Sequence, residues 1–377
     1  MDELTRRETM KLVTGASLSL IAGCSTEDSP VAQTIAHQAA IIATTKLPPS
    51  PEPWPTIDPF LFCVHHNDIY PKGNAELGPN ASLDGRIMGR DFAGLNGWRM
   101  YHGQTVPGFP SHPHRGFETV TVVRQGFLDH SDSLGSAARY GNGDVQWLTA
   151  GAGIQHAEMF PLLNQTGNNP IELFQIWLNL PKANKFAQPH FSMFWNEEIP
   201  KIQHRQNGFA EVELTLVAGS FDEHHAPSPP PQSWASQPEN DVAIWTLKLS
   251  PGAQVTLPRA RQETHRSLYF YLGGQLTIGD RTIASGHMIE VEASGHLTLT
   301  NGDQVSEVLV LQGRPIGEPV VSHGPFVMNT TNEIHQAVAD YQTTRFGGWP
   351  WPRPDPVHGD QPARFARHAD GRMDEPA

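Results

Sequence analysis

Two pairs of metal-binding residue types constrain the fold of this sequence more than any other feature. His112 and His114 stand two residues apart, and His156 and Glu158 repeat that spacing about forty residues later. On a β-strand, side chains at positions i and i+2 project from the same face, roughly 7 Å apart. Two neighbouring antiparallel strands that carry such pairs bring three imidazoles and one carboxylate to one point. The spacing therefore predicts a metal centre enclosed by β-strands.

The four donors do not select a single metal. Imidazole and carboxylate ligands accept Fe, Mn, Ni, Cu or Zn, and the availability of each metal often decides among them. The competing interpretation is a set of ordinary strand residues with polar partners, and the matched spacing of four donors argues against it. The sequence predicts one divalent first-row metal per chain.

The composition favours an all-β protein that is rich in turns. The chain contains 34 Gly and 33 Pro among 377 residues, and long stretches with a helical period are few. The formal net charge of −13 argues against a nucleic-acid-binding surface, which needs clustered Lys and Arg.

Strand-like segments fall into two blocks of similar size. The first block spans 57–221, the second spans 241–347, and a proline-rich linker over 222–240 joins them. Two such blocks in tandem suggest a duplicated barrel. Thr330 and Glu333 form a helix-capping pattern, which predicts a short helix near the end of the second block.

Both ends of the mature chain are predicted to lack a fixed fold. Residues 25–56 read as a tether, and closely spaced prolines make its last part stiff. Residues 348–377 are rich in proline and charged residues, which predicts a disordered tail.

The first residues resemble a bacterial export signal. Arg6 and Arg7 precede an apolar run over 12–23, which is too short to cross a bilayer as a helix. The run leads into Cys24 through the sequence IAGC, a lipobox-like pattern whose cysteine becomes lipidated. We therefore expect 1–24 to direct export and lipidated Cys24 to anchor the protein in the periplasm or at the cell surface. Membrane contact is expected through this lipid alone.

Longer motifs around the metal-binding pairs resemble the signature of the pirin family. Residues 112–121 read HPHRGFETVT, and residues 143–159 read GDVQWLTAGAGIQHAEM. Near the C-terminus, GEPVV at 317–321 and GPFVMNT at 324–330 are also similar to pirins. The resemblance extends in order across both blocks, over roughly 57–347.

The resemblance implies a bicupin, in which two antiparallel β-barrels face each other and the N-terminal barrel holds one metal. Pirins bind iron, and the matching positions here are His112, His114, His156 and Glu158. Some pirins show quercetin 2,3-dioxygenase activity, and nuclear pirins act as transcription cofactors. Pirin-like bicupins are usually monomeric, so a monomer is expected. The second block has His265, His287 and His296 but no histidine pair two residues apart, so we expect the C-terminal barrel to hold no metal.

The chain departs from the family pattern in two ways. Its export signal argues against a transcriptional role. The segment 65–107 is longer than the usual pirin entry to the first histidine strand, and this insertion is expected to cover or reshape the pocket. His65 and His66, at its start, are expected to lie in a solvated loop.

The first functional hypothesis is an iron-dependent dioxygenase that opens a flavonol-like aromatic ring with O2. Glu158 would then have a second task as the general base that removes the enol proton. The alternative is a non-catalytic, lipid-anchored binding protein that senses metal or redox state, because fold does not dictate function. A deep open pocket beside the metal favours the enzyme, and a sealed site favours the sensor.

Three further residues are candidates for supporting the ligands by hydrogen bonds. Glu118 follows the first histidine pair and is interpreted as a hydrogen-bond partner or barrel residue, with a ligand role as the lesser alternative. Gln146 lies within the second motif. His130 could face the pocket, although a surface strand position is the simpler interpretation.

Overall fold

The computed structural model of this chain describes residues 40–206 and 210–377. The predicted export signal over 1–24, including Cys24, and the first part of the predicted tether lie outside these residues. None of the helices in the described ranges has the length and apolar character that crossing a membrane requires.

The first part of the described chain consists of β-strands joined by turns and short 3₁₀ helices. The strands are β1 (Ile41–Lys46), β2 (Phe60–Tyr70), β3 (Gly108–His114), β4 (Phe117–Gln125), β5 (Phe127–Asp132), β6 (Ala137–Gly141), β7 (Val145–Thr149), β8 (Ile154–Met159), β9 (Asn169–Asn179), β10 (His190–Phe194), β11 (Lys201–Gln206), β12 (Ala210–Ala218), β13 (Ser220–Phe221) and β14 (His224–His225). The 3₁₀ helices are Leu95–Gly97 and Lys182–Asn184.

The second part adds further strands and one α-helix. Its elements are β15 (Ala243–Leu249), β16 (Gln254–Leu257), β17 (His265–Leu272), β18 (Gln275–Ile278), β19 (Arg281–Ala284), β20 (His287–Glu292), β21 (Leu297–Asn301), β22 (Ser306–Gly313), β23 (Val321–His323), β24 (Phe326–Met328), α1 (Thr331–Thr344), β25 (Phe365–Arg367) and β26 (Met373–Asp374). The 3₁₀ helices are Trp234–Ser236, Pro238–Asn240 and Arg345–Gly347.

The N-terminal barrel is built from two antiparallel sheets. Their strand orders are β10-β7-β4-β9-β2 and β26-β25-β6-β5-β8-β3. Side chains from both sheets, among them Leu173 on β9 and Leu128 on β5, meet in one apolar cluster between them. Because alternate residues of a strand face opposite sides, each strand contributes every second residue to this interior.

The C-terminal barrel has the same two-sheet construction. Its sheets have the orders β1-β20-β17-β22-β15-β12-β11 and β16-β21-β18-β19. Aliphatic and aromatic side chains fill the space between them, including Leu268 and Phe270 on β17 and Trp245 on β15. This interior is a packed hydrophobic core.

The two barrels pack sheet against sheet. On β4, Val120 and Val122 join the same buried cluster as Ile244 on β15 and Leu309 on β22. The neighbour Trp245 points the other way, into the C-terminal barrel. Strands at this contact are buried on both faces, which explains their nearly continuous apolar runs. The predicted all-β bicupin with a short C-terminal helix is therefore confirmed.

The helix begins as the sequence predicts. Thr330 is the N-cap of α1, and its hydroxyl accepts a hydrogen bond from the backbone N–H of Glu333. The Glu333 carboxylate in turn accepts from the backbone N–H of Asn329 at 3.1 Å. Ile334 and Ala337 are buried, so α1 packs one apolar face against β24 and the turn that follows the helix.

The predicted tether is wrong for its described part. Strand β1 pairs with β20 in the C-terminal barrel, and the IIATTK sequence of β1 is rich in β-branched residues that favour strands. Trp54 is buried in the contact between the barrels, where it stacks on Tyr269 at 5.5 Å. The prolines at 48–55 therefore shape a packed segment.

The predicted boundary at 221 is also displaced. Strands β11 and β12 pair with each other, and β12 pairs with β15. These two strands therefore belong to the C-terminal barrel, although they precede the linker in sequence. Alternation in a sequence shows which face of a strand is apolar, but it does not identify the neighbouring strand.

The predicted disordered tail is wrong. Strand β25 pairs with β6 at the edge of the N-terminal barrel. Arg139 of β6 donates hydrogen bonds to the backbone oxygens of Gln361 and Gly359. Trp351 donates from its indole nitrogen to the backbone oxygen of Asp132 at 2.8 Å. The prolines and charges of 348–377 cover a barrel edge and satisfy buried polar groups.

Candidate metal centre

Strands β3 and β8 bring the predicted histidines together. They pair antiparallel, with His112 opposite His156 and an irregularity between Phe109 and His112. The ring centroids are 4.8 Å apart for His112 and His114, 4.5 Å for His112 and His156, and 4.9 Å for His114 and His156. One ring nitrogen from each histidine lies within 4.8 Å of the other two. The predicted convergence of three imidazoles is present.

The environment of these histidines fits a metal ion. Both ring nitrogens of His156 are buried, and neither has a hydrogen-bond partner among the described residues. Burial lowers the pKa of His112 to about 4 and holds the pKa values of His114 and His156 well below their ordinary value, with repulsion between the rings as a further cause. The imidazoles are therefore neutral near pH 7, which is the form that binds metals.

Glu158 lies beside the histidine cluster. Its Oε2 is 3.9 Å from Nε2 of His156. Gln175 donates from Nε2 to Oε2 of Glu158 at 2.9 Å, and the Thr121 hydroxyl lies 3.0 Å from Oε1. Burial raises the pKa of Glu158, and these hydrogen bonds and the electrostatic influence of the neighbouring His130 side chain oppose the rise. Two polar side chains thus fix the orientation of the carboxylate.

Thr121 and Gln175 were not predicted as site residues. They stand directly opposite each other on β4 and β9, and the Thr121 hydroxyl is 2.5 Å from Oε1 of Gln175. Both polar side chains face the barrel interior. That pattern was visible in the sequence, where Thr121 is the polar position between Val120 and Val122.

His130 lies next to the cluster, and the alternative of a surface position is wrong because its side chain is fully buried. It stands opposite Glu158 on the paired strands β5 and β8. Its ring centroid is 5.6 Å from that of His156, and its Nε2 is 3.3 Å from Oδ2 of Asp132. Gln146 stands opposite Thr121, so its side chain projects toward the same interior.

Glu118 does not support the histidines. Its carboxylate accepts hydrogen bonds from the hydroxyls of Thr149 at 2.7 Å and Ser233 at 2.5 Å. Ser233 belongs to the segment that connects β12 to β15 of the C-terminal barrel. Glu118 has the same parity on β4 as Val120, whereas Thr121 faces the barrel interior. Glu118 therefore projects from the opposite face of β4 to Thr121, and this face meets the other barrel.

A cavity of about 750 Å³ opens beside the cluster. His112, His114 and Glu158 line one part of it. Its apolar walls include the side chains of Phe62, Phe92, Phe109, Phe160, Leu173 and Trp177. A concave, largely apolar space with a few convergent polar groups is typical of small-molecule sites.

The segment 65–107 contributes to the cavity, because its residues Phe92 and His102 line the wall. Whether it is longer than in other pirins stays a prediction from the sequence. The expectation that His65 and His66 lie in a solvated loop is wrong, because both are buried on β2. They extend the strand that begins at Phe60, and alternation turns His66 toward the cavity and His65 toward the other barrel.

Comparison with known proteins places both halves of the chain in one family. The Pirin profile matches residues 83–178, and the profile of the Pirin C-terminal cupin domain matches 244–347. A Pseudomonas aeruginosa protein named "Putative quercetin 2,3-dioxygenase" is 37% identical over 240 residues, which cover 63% of this chain and 79% of that protein. Human pirin is 32% identical over 253 residues, which cover 66% of this chain and 80% of that protein.

Comparison with solved structures agrees with this family assignment at the level of the fold. A crystal structure titled quercetin 2,3-dioxygenase from Acinetobacter baumannii superimposes with a TM-score of 0.65 at 24% sequence identity. The match covers 83% of this chain and 99% of that structure, which supports the shared bicupin fold. Together with the matched profiles and the paired barrels, these similarities show that the chain belongs to the pirin family.

Proposed function

We propose that this protein is a metal-dependent dioxygenase that opens the ring of a flavonol-like aromatic enol. The observation that carries the proposal is the cluster of His112, His114 and His156, of which His112 and His114 line a largely apolar cavity. Relatives named for quercetin 2,3-dioxygenase activity support the same substrate class. Both atoms of O2 enter the products, so the substrate supplies the electrons and no external reductant is consumed.

His112, His114, His156 and Glu158 are the residues that would hold the metal, and iron is the proposed ion. Bound iron supplies the redox chemistry that joins O2 to the substrate. The protein contributes neutral imidazoles and a carboxylate with a fixed orientation. Thr121 adds a hydroxyl that keeps one carboxylate oxygen in place.

Glu158 is also the proposed proton acceptor. Its carboxylate lines the cavity, so an oxygen of Glu158 can take the proton of a substrate enol hydroxyl that lies beside the histidines. Gln175 and Thr121 hold the two carboxylate oxygens, which reduces the reorganisation that proton transfer requires. Glu158→Gln tests this role, since metal retention with full turnover would contradict it.

The aromatic walls orient the substrate and exclude water. Phe109 and Phe160 lie 6.1 Å apart in a T-shaped arrangement, and Trp177 packs edge to face on His114 at 5.4 Å. A flat polyphenol can pack against these rings with favourable geometry. An open cavity of this kind supports the enzyme over the alternative of a sealed metal or redox sensor.

The experiment is oxygen uptake by the iron-loaded protein when quercetin is added, together with elemental analysis of the same sample. We expect stoichiometric iron and quercetin-dependent O2 consumption, with both lost in His112→Ala. His265→Ala is the control, because His265 is an exposed residue of the C-terminal barrel. Bound metal without oxygen uptake would contradict the dioxygenase and favour the sensor.

The proposed location is the periplasm or the cell surface, with Cys24 carrying the lipid. The support is the paired arginines Arg6 and Arg7, which are typical of a twin-arginine signal, and the lipobox-like pattern that ends at Cys24. Metabolic labelling with a fatty-acid analogue should label the wild-type protein and leave Cys24→Ser unlabelled. Equal labelling of both proteins would contradict this assignment.

A further inference from the structure

A chain of hydrogen bonds reaches the cavity wall away from the histidine cluster. His66 is buried and lines the cavity. Its Nδ1 is 2.8 Å from the hydroxyl of Tyr101. That hydroxyl is 2.6 Å from Oδ2 of Asp68, and Oδ1 of Asp68 is 2.9 Å from Nη1 of Arg99. Tyr101 and Arg99 lie in the segment between β2 and β3, which is thus joined to β2 by polar contacts.

The direction of these hydrogen bonds fixes the proton on His66. Asp68 pairs with Arg99 and therefore accepts the single hydroxyl proton of Tyr101. The Tyr101 oxygen is then left to accept from His66, so the proton of the neutral imidazole lies on Nδ1. Nε2 keeps a free lone pair, and it has no hydrogen bond to any residue in the described part of the chain. Burial and the nearby charges of His65 and Arg99 lower the pKa of His66 to about 3.

His66 is separate from the residues that would hold the metal. The ring of Phe109 contacts both sites, with its centroid 5.7 Å from the ring of His66 and 6.4 Å from the ring of His112. Within the described ranges, His66 is not part of the group of metal-binding residues. A ligand that reaches the histidine cluster with one end can therefore meet His66 with another.

We infer that His66 determines substrate specificity by accepting, through Nε2, a hydrogen bond from a second hydroxyl of the bound polyphenol. The substrate class rests on the proposed function, whereas the acceptor role rests on the hydrogen bonds to Tyr101, Asp68 and Arg99. An acceptor at the cavity wall that no side chain of the described residues satisfies disfavours ligands that present only C–H groups to it. Tyr101 and Asp68 are positioning residues, because they act by holding the tautomer of His66.

The test is the affinity of the metal-loaded full chain, without O2, for quercetin and for 3-hydroxyflavone, measured by titration calorimetry. Both ligands carry the same enol, and 3-hydroxyflavone lacks the other hydroxyls of quercetin. His66→Asn keeps a donor toward Tyr101 but removes the acceptor at the Nε2 position. We expect this variant to bind quercetin roughly tenfold more weakly and 3-hydroxyflavone within about twofold of wild type. His66→Gln, which places an amide oxygen near the Nε2 position, should recover part of the loss.

Two further variants separate this role from a structural one. Tyr101→Phe removes the oxygen that holds Nδ1, and we expect a partial loss of the preference for quercetin. His65→Asn is the matched control, because His65 pairs with Glu172 and is absent from the cavity wall. It should keep the wild-type preference, even if its unfolding temperature falls.

Several results would overturn the inference. An equal loss of affinity for both ligands in His66→Asn would make His66 a structural residue. An unchanged preference for quercetin would show that its hydroxyls do not meet His66. If the wild-type protein bound neither ligand, both the proposed function and this inference would be overturned. The two preceding results would overturn only the role of His66.

Discussion

The two barrels share one construction and differ in what fills them. The N-terminal interior carries three neighbouring imidazoles and a carboxylate beside a cavity of about 750 Å³. The C-terminal interior is filled by residues such as Leu268, Phe270 and Trp245. The difference arises from side chains at inward-facing strand positions, because the strand pairing is alike in both. The comparison shows how one fold supplies a candidate metal centre and, in tandem, a packed support.

The largest expected effect is the loss of metal binding from the N-terminal barrel. His156→Ala removes one of three converging imidazoles, and we expect metal affinity to fall by at least about 100-fold, since even the loss of partners around ligands costs 10–100-fold. Equilibrium dialysis with elemental analysis measures it. His287→Ala, in the C-terminal barrel, should leave affinity unchanged. Equal metal loss in both variants would contradict the assignment of the metal site to the N-terminal barrel alone.

The next effect concerns the support role of the C-terminal barrel. Leu268 is fully buried, and Leu268→Ala should lower the free energy of unfolding by about 2.5 kcal/mol through lost burial and a residual cavity. Urea denaturation measures the change, with the exposed Lys248→Ala as control. The folded variant should retain wild-type metal content. Loss of metal from folded protein would show that the C-terminal core also shapes the site.

A pH effect is expected at the contact between the barrels. Burial raises the pKa of Glu118 from its ordinary 4.5 to about 7, although hydrogen bonds from Ser233 and Thr149 oppose the rise. Between these values the folded protein keeps a proton that the unfolded chain releases. Stability should therefore fall by about 3 kcal/mol from this group as pH rises from about 4.5 to 7, and it should change little above pH 7.

Glu118→Gln isolates this contribution. The variant should show a shallower loss of unfolding free energy across the same pH window, as measured by urea denaturation at several pH values. Glu223→Gln, an exposed change, should keep the wild-type slope. A slope that Glu118→Gln leaves unaltered would refute the assignment.

The smallest expected effect concerns the orientation of the Glu158 carboxylate, as distinct from metal binding itself. Thr121→Val removes the hydroxyl that contacts Glu158 but preserves the shape of the side chain. We expect kcat for quercetin to fall about tenfold while metal content is retained. Thr119→Val is the matched control on the same strand. Full activity in Thr121→Val would show that Gln175 alone orients the carboxylate.

Local periodicity made part of this structure predictable from sequence. The two-residue spacing of His112 and His114 determines a shared strand face, and the paired spacing of His156 and Glu158 supplies the opposing donors. The capping pattern at Thr330 likewise depends on near neighbours. These features are visible because each is fixed within a few residues.

Other features depend on contacts between distant residues. Tyr101 meets His66 across 35 positions of sequence, and Gln361 meets Arg139 across 222 positions. Nothing in the local pattern near either residue identifies such a partner. Glu118 shows a second limit on prediction from sequence. A shift of one position reverses the face from which a strand residue projects, and the side chain of Glu118 therefore lies at the contact between the barrels and not in the barrel interior.

Anomalous X-ray diffraction at the iron edge from crystals of the iron-loaded protein tests the central claim most directly. The account predicts one strong peak per chain, within coordination distance of His112, His114 and His156, and no peak inside the C-terminal barrel. A peak inside the C-terminal barrel, or iron bound only at surface histidines, would contradict it.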